Sequence, residues 1–196
     1  YCPAPLFDDK LREKVEKRII MPTIEGMQQE GHPYKGFLYV GIMIVDNDPF
    51  VIEFNVRMGD PETQVVIPLL NSSFYTLLDD CLEGKLNETK LEISSQTAVT
   101  VVLAADGYPG KYDKGMDISV INDSNHNQVF HAGTSFTDRG FVTTGGRVLN
   151  VIGFGDNLKI AIDDAYKLAN EVDFEGKFFR TDIAVSYTHL TLPTKA

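Results

Sequence analysis

The sequence predicts an α+β fold: an antiparallel hairpin with helices around it, then a small antiparallel-sheet domain closed by one helix. Three observations carry this. Apolar residues recur at helical spacing near the start of the chain, at 74–82 and at 156–172. Two apolar strands, "GFLYVGIMIV" and "FVIEFNVR", flank the turn letters "DNDP". Beyond about residue 96 the pattern changes to short strands separated by Gly, Asn and Asp.

Asp8 or Asp9 can cap a first helix in which Leu11, Val15 and Ile19 recur at i, i+4 and i+8. Pro22 should break or kink it, and a second piece with Ile24 and Met27 should run to about Gly31. The near-continuous apolar run 36–45 reads as a well-buried strand, returning through 50–57 as a hairpin. Asp60 can cap a short helix with Pro61 at its first position, interrupted by Pro68. Ser72 restarts a helix whose stripe of Phe74, Leu77, Leu78, Cys81 and Leu82 makes Cys81 a core thiol. Polar, irregular "EGKLNETKLEISSQ" leads to a domain boundary near residue 96. "TAVTVVLAADGYPG" reads as a strand running into a Gly/Pro turn, and short strands are expected near 117–121, 128–131, 140–143 and 147–153. A last helix, Asp156 to about Val172, carries Leu158, Ala161, Ile162, Ala165 and Ala169 on one face.

With 196 residues, 43% of them hydrophobic, the chain can fill one ordinary domain or two small ones. A net charge of -10 and a pI near 4.8 argue against nucleic acid as a partner. No apolar run has the length of a membrane span, and the start does not resemble a signal peptide. Cys2 and Cys81 lie far apart, as expected of reduced thiols in the cytoplasm. His32, His126, His131 and His189 have no metal-ligand spacing among themselves.

The chemistry concentrates in "VIEFNVRMGDPETQ", 51–64. On an extended strand Glu53, Asn55 and Arg57 share one face, and Ile52, Phe54 and Val56 the other. The apolar set wants a core. The polar set is either a solvated face or a site. A carboxylate and an amide oxygen two residues apart suit Mg²⁺, which takes one or two protein groups and completes its shell with phosphate and water. An arginine two residues on could hold a transferring phosphoryl group. Gly59 would let a ligand approach the backbone, and a capped helix start favours anions.

The E-x-N-x-R run on a hairpin resembles the ATP-grasp enzymes, which activate a carboxylate as an acyl phosphate. More narrowly, "GFLYVGIMI" with "VIEFNVRMGDPETQ" resembles the phosphoribosylamine–glycine ligases, or glycinamide ribonucleotide synthetases, whose R-[FM]-G-D-P-E-x-Q signature fits Arg57–Gln64. "ADGYPGKYDKG" (105–115), "VFHAGTSF" (129–136) and "TTGGRVLNVIGFGDNLKIAIDDAY" (143–166) continue the resemblance to about residue 183.

The resemblance implies that residues 1–96 are the C-terminal portion of an ATP-grasp domain and 97–184 the family's C-terminal domain. It implies that ATP, glycine and 5-phosphoribosylamine are the substrates, with no nucleic acid or membrane partner and a cytoplasmic, monomeric full-length enzyme. Glu53 and Asn55 would hold Mg²⁺ (or Mn²⁺) on ATP. Arg57 would bind nucleotide phosphate and stabilise the acyl phosphate, and Asp60 would serve catalysis. Glu62 is a further candidate for substrate contact or support of Arg57. Gly41 stands where many ATP-grasp members carry a second acidic ligand, so metal binding is expected to be weak without ATP. The family's upstream nucleotide site is expected to lie before Tyr1, leaving this chain inactive alone. "AVSYTHLTLPTKA" departs from the family, and 185–196 reads as a non-native tail. Two alternatives are another ATP-grasp carboxylate–amine ligase or purine-pathway carboxylase, and a non-catalytic nucleotide-binding module.

Other residues carry weaker signals. "DGYPGKYDKG", with Lys111 and Lys114, reads first as a turn and second as a phosphate cradle. Arg147 beside two glycines has the same ambiguity, and His131 reads as a structural histidine.

Overall fold

A computed structural model describes residues 1–119 and 128–184. The tail expected to be foreign, 185–196, lies outside the described residues, as do 120–121 of the strand expected at 117–121. The chain forms two compact units. A hairpin unit comprises Pro3–Thr63 and Leu70–Ile93; a sheet unit comprises Tyr1–Cys2, Gln64–Leu69 and the chain from Ser94 onward.

In the hairpin unit, Asp8 caps α1 (Asp9–Val15), its carboxylate accepting from Leu11 N at 2.8 Å. Leu11, Val15 and Ile19 are buried, as their spacing requires. The expected break at Pro22 takes another form. A widened π turn, Glu16–Ile20, passes directly into α2 (Met21–Gln29), so the chain stays helical through the proline, which occupies the first turn of α2.

Strands β1 (Tyr39–Val45) and β2 (Asp48–Asn55) pair antiparallel. Their turn residues Asp46 and Asn47 have φ of 51° and 60°, the left-handed pair a tight hairpin needs. Lys14 Nζ donates to Asp48 Oδ1 at 2.8 Å and Arg18 to the same oxygen at 3.0 Å, tying the first helix to the turn. Those bonds hold the Asp48 carboxyl below its usual pKa.

Two expectations of burial fail here. Strand β1 is half-exposed, not well buried, and Ile52, Phe54 and Val56 are 63%, 44% and 73% exposed. That face is left largely open. On α4 (Phe74–Glu83), capped by Ser73 and ended by left-handed Gly84, Cys81 is only half-buried. Leu78 and Leu82 of its stripe are exposed, while Phe74 stacks on Phe37 with ring centroids 6.1 Å apart.

The sheet unit is built on β3 (Thr97–Ala105) and β7 (Arg147–Gly155), in a four-stranded sheet ordered β4-β7-β3-β8. Here β4 is Gln128–His131 and β8, which the sequence did not signal, is Lys177–Phe178. A separate ribbon pairs β5 (Thr134–Thr137) with β6 (Gly140–Thr143). The segment expected to begin a strand at 117 makes single bridges, Asp117 to Val142 and Ser119 to Asp173.

Helix α5 (Leu158–Glu171), capped by Asn157, packs against β3 and β7. It buries Leu158, Ala161, Ala165 and Ala169 with Val99, Val101, Leu103, Leu149 and Val151. Contact is close because Gly153 lies under the helix: a Cβ there would come within 2.1 Å of Ala165 N and 2.4 Å of Ala161 O. A second cluster, Ala98 and Ile152 with Val65 and Leu69 of α3 (Thr63–Val66) and the 3-10 turn Ile67–Leu69, covers another part of the sheet. No described helix is long and apolar enough to cross a membrane.

Candidate functional site

The alternation of β2 puts Glu53 and Asn55 on one face, and the structure brings their side chains together: Asn55 Nδ2 donates to Glu53 Oε1 at 3.0 Å. The Asn55 amide oxygen is left to point elsewhere. Across the hairpin, Gly41 pairs with Glu53 and Tyr39 with Asn55. A Cβ on Gly41 would sit 3.0 Å from Glu53 Cγ, so the glycine makes room for the carboxylate rather than adding a second ligand. Glu53 is exposed and Asn55 half-buried.

Arg57 differs from expectation. Strand β2 ends at Asn55, and Arg57 stands in the bend that follows, so it does not share a regular strand face with the other two. Its guanidinium donates to the carbonyl of Met58 at 2.9 Å. The reason is local: the ladder ends at Asn55 and the backbone bends at Val56 and Arg57 on its way to the turn at 60–62.

Asp60 is exposed, and it does not cap a helix beginning at Pro61 as the sequence implied. The first helical bond, Thr63 N to Gly59 O at 3.1 Å, opens α3 two residues later, and the Asp60–Pro61 peptide is cis. Thr63 Oγ1 also donates to Gly59 O. A four-residue helix supplies little of the dipole that a longer one would offer an anion.

One member of the group was not singled out from the sequence. The Tyr39 hydroxyl donates to Glu62 Oε1 at 3.3 Å. Partial burial, with the Glu62 carboxylate next in weight, pushes the phenol above its ordinary pKa. Buried Gly59 lets Glu62 fold back, since a Cβ on Gly59 would lie 2.3 Å from Glu62 Oε2. Hairpin register alone did not reveal it: counting back from the turn puts Tyr39 opposite Phe54, and only the bulge between Gly41 and Ile42 moves it opposite Asn55.

The described residues hold no group of three or more His, Cys, Asp and Glu able to bind a metal. Any divalent ion here would therefore rest on the Glu53–Asn55 pair and on oxygens of its ligand. The exposed Glu53 carboxylate can take a metal-bearing phosphate as placed, whereas the Asn55 amide must turn over before its oxygen joins it, and Arg57 stands apart at the Met58 carbonyl.

Comparison with known proteins bears on both units. Residues 1–63 match the phosphoribosylglycinamide synthetase ATP-grasp (A) domain, and residues 98–186 match the phosphoribosylglycinamide synthetase C domain. A phosphoribosylamine–glycine ligase of Caldanaerobacter subterraneus subsp. tengcongensis is 43% identical over 186 residues, covering 95% of this chain and 45% of that protein. The crystal structure of phosphoribosylamine–glycine ligase from Thermotoga maritima superposes with a TM-score of 0.77 at 40% identity, over 87% of this chain and 42% of the other. Pyruvate carboxylase of Rhizobium etli, at 16% identity and a TM-score of 0.65 over 98% of this chain and 20% of its own, shares the fold alone. The chain spans less than half the length of the relatives it matches.

Proposed function

Because the chain belongs to the phosphoribosylglycinamide synthetase family, with matches in both of its parts, we propose that it supplies the metal strand and C domain of an ATP-dependent ligase. The enzyme joins glycine to 5-phosphoribosylamine, giving glycinamide ribonucleotide, ADP and phosphate. Residues 1–96 are assigned to the ATP-grasp domain, 97–184 to the C-terminal domain, and 185–196 to a non-native tail. The full-length enzyme is taken to be cytoplasmic and monomeric.

The observation that carries this reading is the Glu53–Asn55 pair opposite Gly41. Its donor set fits Mg²⁺ or Mn²⁺: two hard oxygen groups, with the rest of the shell left to nucleotide phosphate and water. When bound, the ion neutralises phosphate oxygens of ATP. Glu53 and Asn55 hold and orient the metal–nucleotide complex. The glycine carboxylate attacks the γ-phosphorus, ADP leaves, and the amine of phosphoribosylamine then displaces phosphate from glycyl phosphate. Arg57 offers its fixed charge to nucleotide phosphate and to that acyl phosphate. Asp60 contacts substrate or steadies Arg57, and Glu62 is held by Tyr39 beside them.

The test replaces the corresponding stretch of the Caldanaerobacter relative with residues 1–183 and measures ADP release. Release that requires both glycine and phosphoribosylamine, and falls about 100-fold or more in Glu53→Gln, is the expected result. Turnover with a different acceptor reassigns the ligase, and no turnover in a folded chimera removes it. The 196-residue chain alone is expected to release no ADP.

A further inference from the structure

A pocket of about 900 Å³ in the sheet unit lies within the "DGYPGKYDKG" loop, lined by Lys111, Lys114, Asp106, Asp113, Glu175 and Tyr112 among others. Its volume falls within the roughly 300–1,000 Å³ usual for small-molecule sites. None of the Glu53 group belongs to it.

The loop is tied into the sheet unit at both ends. At one end Ala105 N donates to Gly146 O at 2.8 Å and Asp106 N to Gly176 O at 2.7 Å. At the other, Gly115 N donates to Thr143 O at 2.6 Å and Met116 N to Thr143 Oγ1 at 3.2 Å, and Thr143 is buried. Between them Gly107, at φ +88°, folds so tightly that a Cβ would lie 2.1 Å from Lys111 O. Tyr112 packs against the hydrophobic core, with Lys114 Nζ 5.7 Å from its ring centroid. Both lysines are thus carried on an anchored frame rather than a loose tip.

The lining selects a class of ligand. Three carboxylates oppose a bare anion, and two ammonium groups oppose a bare cation. A ligand that carries both a phosphate and hydroxyl or amino donors satisfies both sets, because ionised carboxylates only accept hydrogen bonds and ammonium groups only donate them. We infer that this pocket binds a small sugar phosphate, Lys111 and Lys114 holding the phosphate while Asp106, Asp113 and Glu175 accept from sugar hydroxyls. The ligase reading supplies the ester's identity, 5-phosphoribosylamine, and the inference rests on it for that step only.

Ribose 5-phosphate is the probe, titrated by calorimetry into the 196-residue chain, with ribose and inorganic phosphate as separate arms. Saturable binding at least tenfold tighter than either arm is expected. It should weaken tenfold or more in Lys111→Met/Lys114→Met and stay unchanged in Lys90→Met, a lysine of the hairpin unit. Both pocket lysines are exposed, so the double variant should keep its melting temperature. No saturable binding, equal affinity for inorganic phosphate, or indifference to the double variant would overturn the inference. Pocket binding without ligase activity in the chimera would sink the ligase reading and spare the pocket; glycine-dependent turnover unaffected by Lys111→Met/Lys114→Met would do the reverse.

Discussion

Strands β3 and β7 of the sheet unit and strands β1 and β2 of the hairpin unit are antiparallel pairs with similarly apolar letters. In the first pair Val99, Val101, Leu149 and Val151 are wholly buried, whereas Phe50 and Ile52 in the second are 54% and 63% exposed. The strands do not differ in what they would bury; they differ in what covers them. Helix α5 and the Gln64–Leu69 segment supply cover in the sheet unit. Apolar alternation therefore states a demand for burial, and only the partner element answers it.

The sharpest way to break this comparison is at the α5 interface. Gly153→Ala drives a methyl into backbone atoms of Ala161 and Ala165, and should cost about 3 kcal/mol or more in urea unfolding. An unchanged midpoint would refute close helix–sheet packing. Next comes a matched pair: Leu149→Ala should cost about 2–5 kcal/mol, and Ile52→Ala should stay within about 0.5 kcal/mol. Similar losses at both positions would erase the contrast.

Gly59→Ala should be milder. It displaces the Glu62 carboxylate from Tyr39, whose pKa should then fall toward the ordinary value, read by carbon-13 NMR of the tyrosine ring. Because the folded-state pKa of Tyr39 is raised, its contribution to stability is present below about pH 10 and fades as pH rises through the folded value. A Tyr39 titration that ignores Gly59→Ala would detach Glu62 from this group.

The smallest effect belongs to the hairpin turn. The depressed pKa of Asp48 means its stabilising contribution is present above about pH 3.9 and lost as pH falls through the folded value. Asp48→Asn should thus lower the melting temperature slightly at neutral pH and not at about pH 2. A loss of equal size at both would show that Asp48 acts by something other than its charge.

Features set by neighbouring residues were readable. The Asp46–Asn47 turn, the Leu11–Val15–Ile19 stripe and the buried face of α5 each follow from local spacing and from residues suited to their backbone. The pairing of Glu53 with Asn55 followed from strand alternation. What escaped depends on distant chain. Tyr39 joins the group through a register shifted by a bulge, and Arg57 leaves the strand because the chain turns after Asn55. The pocket around Lys111 and Lys114 is shaped by Thr143 and Gly176, dozens of residues away, so its letters alone could not be told from a turn.

The exposed hairpin also has a consequence for handling the protein. A two-stranded sheet has an open edge on each strand, and here those edges carry Met43, Val45, Phe50 and Ile52 in the open. Such ribbons add to one another edge to edge, with the net charge of -10 as the chief opposing force. Raising salt screens that repulsion, so turbidity should grow with ionic strength as well as concentration. A single Val45→Lys substitution should hold the solution clear.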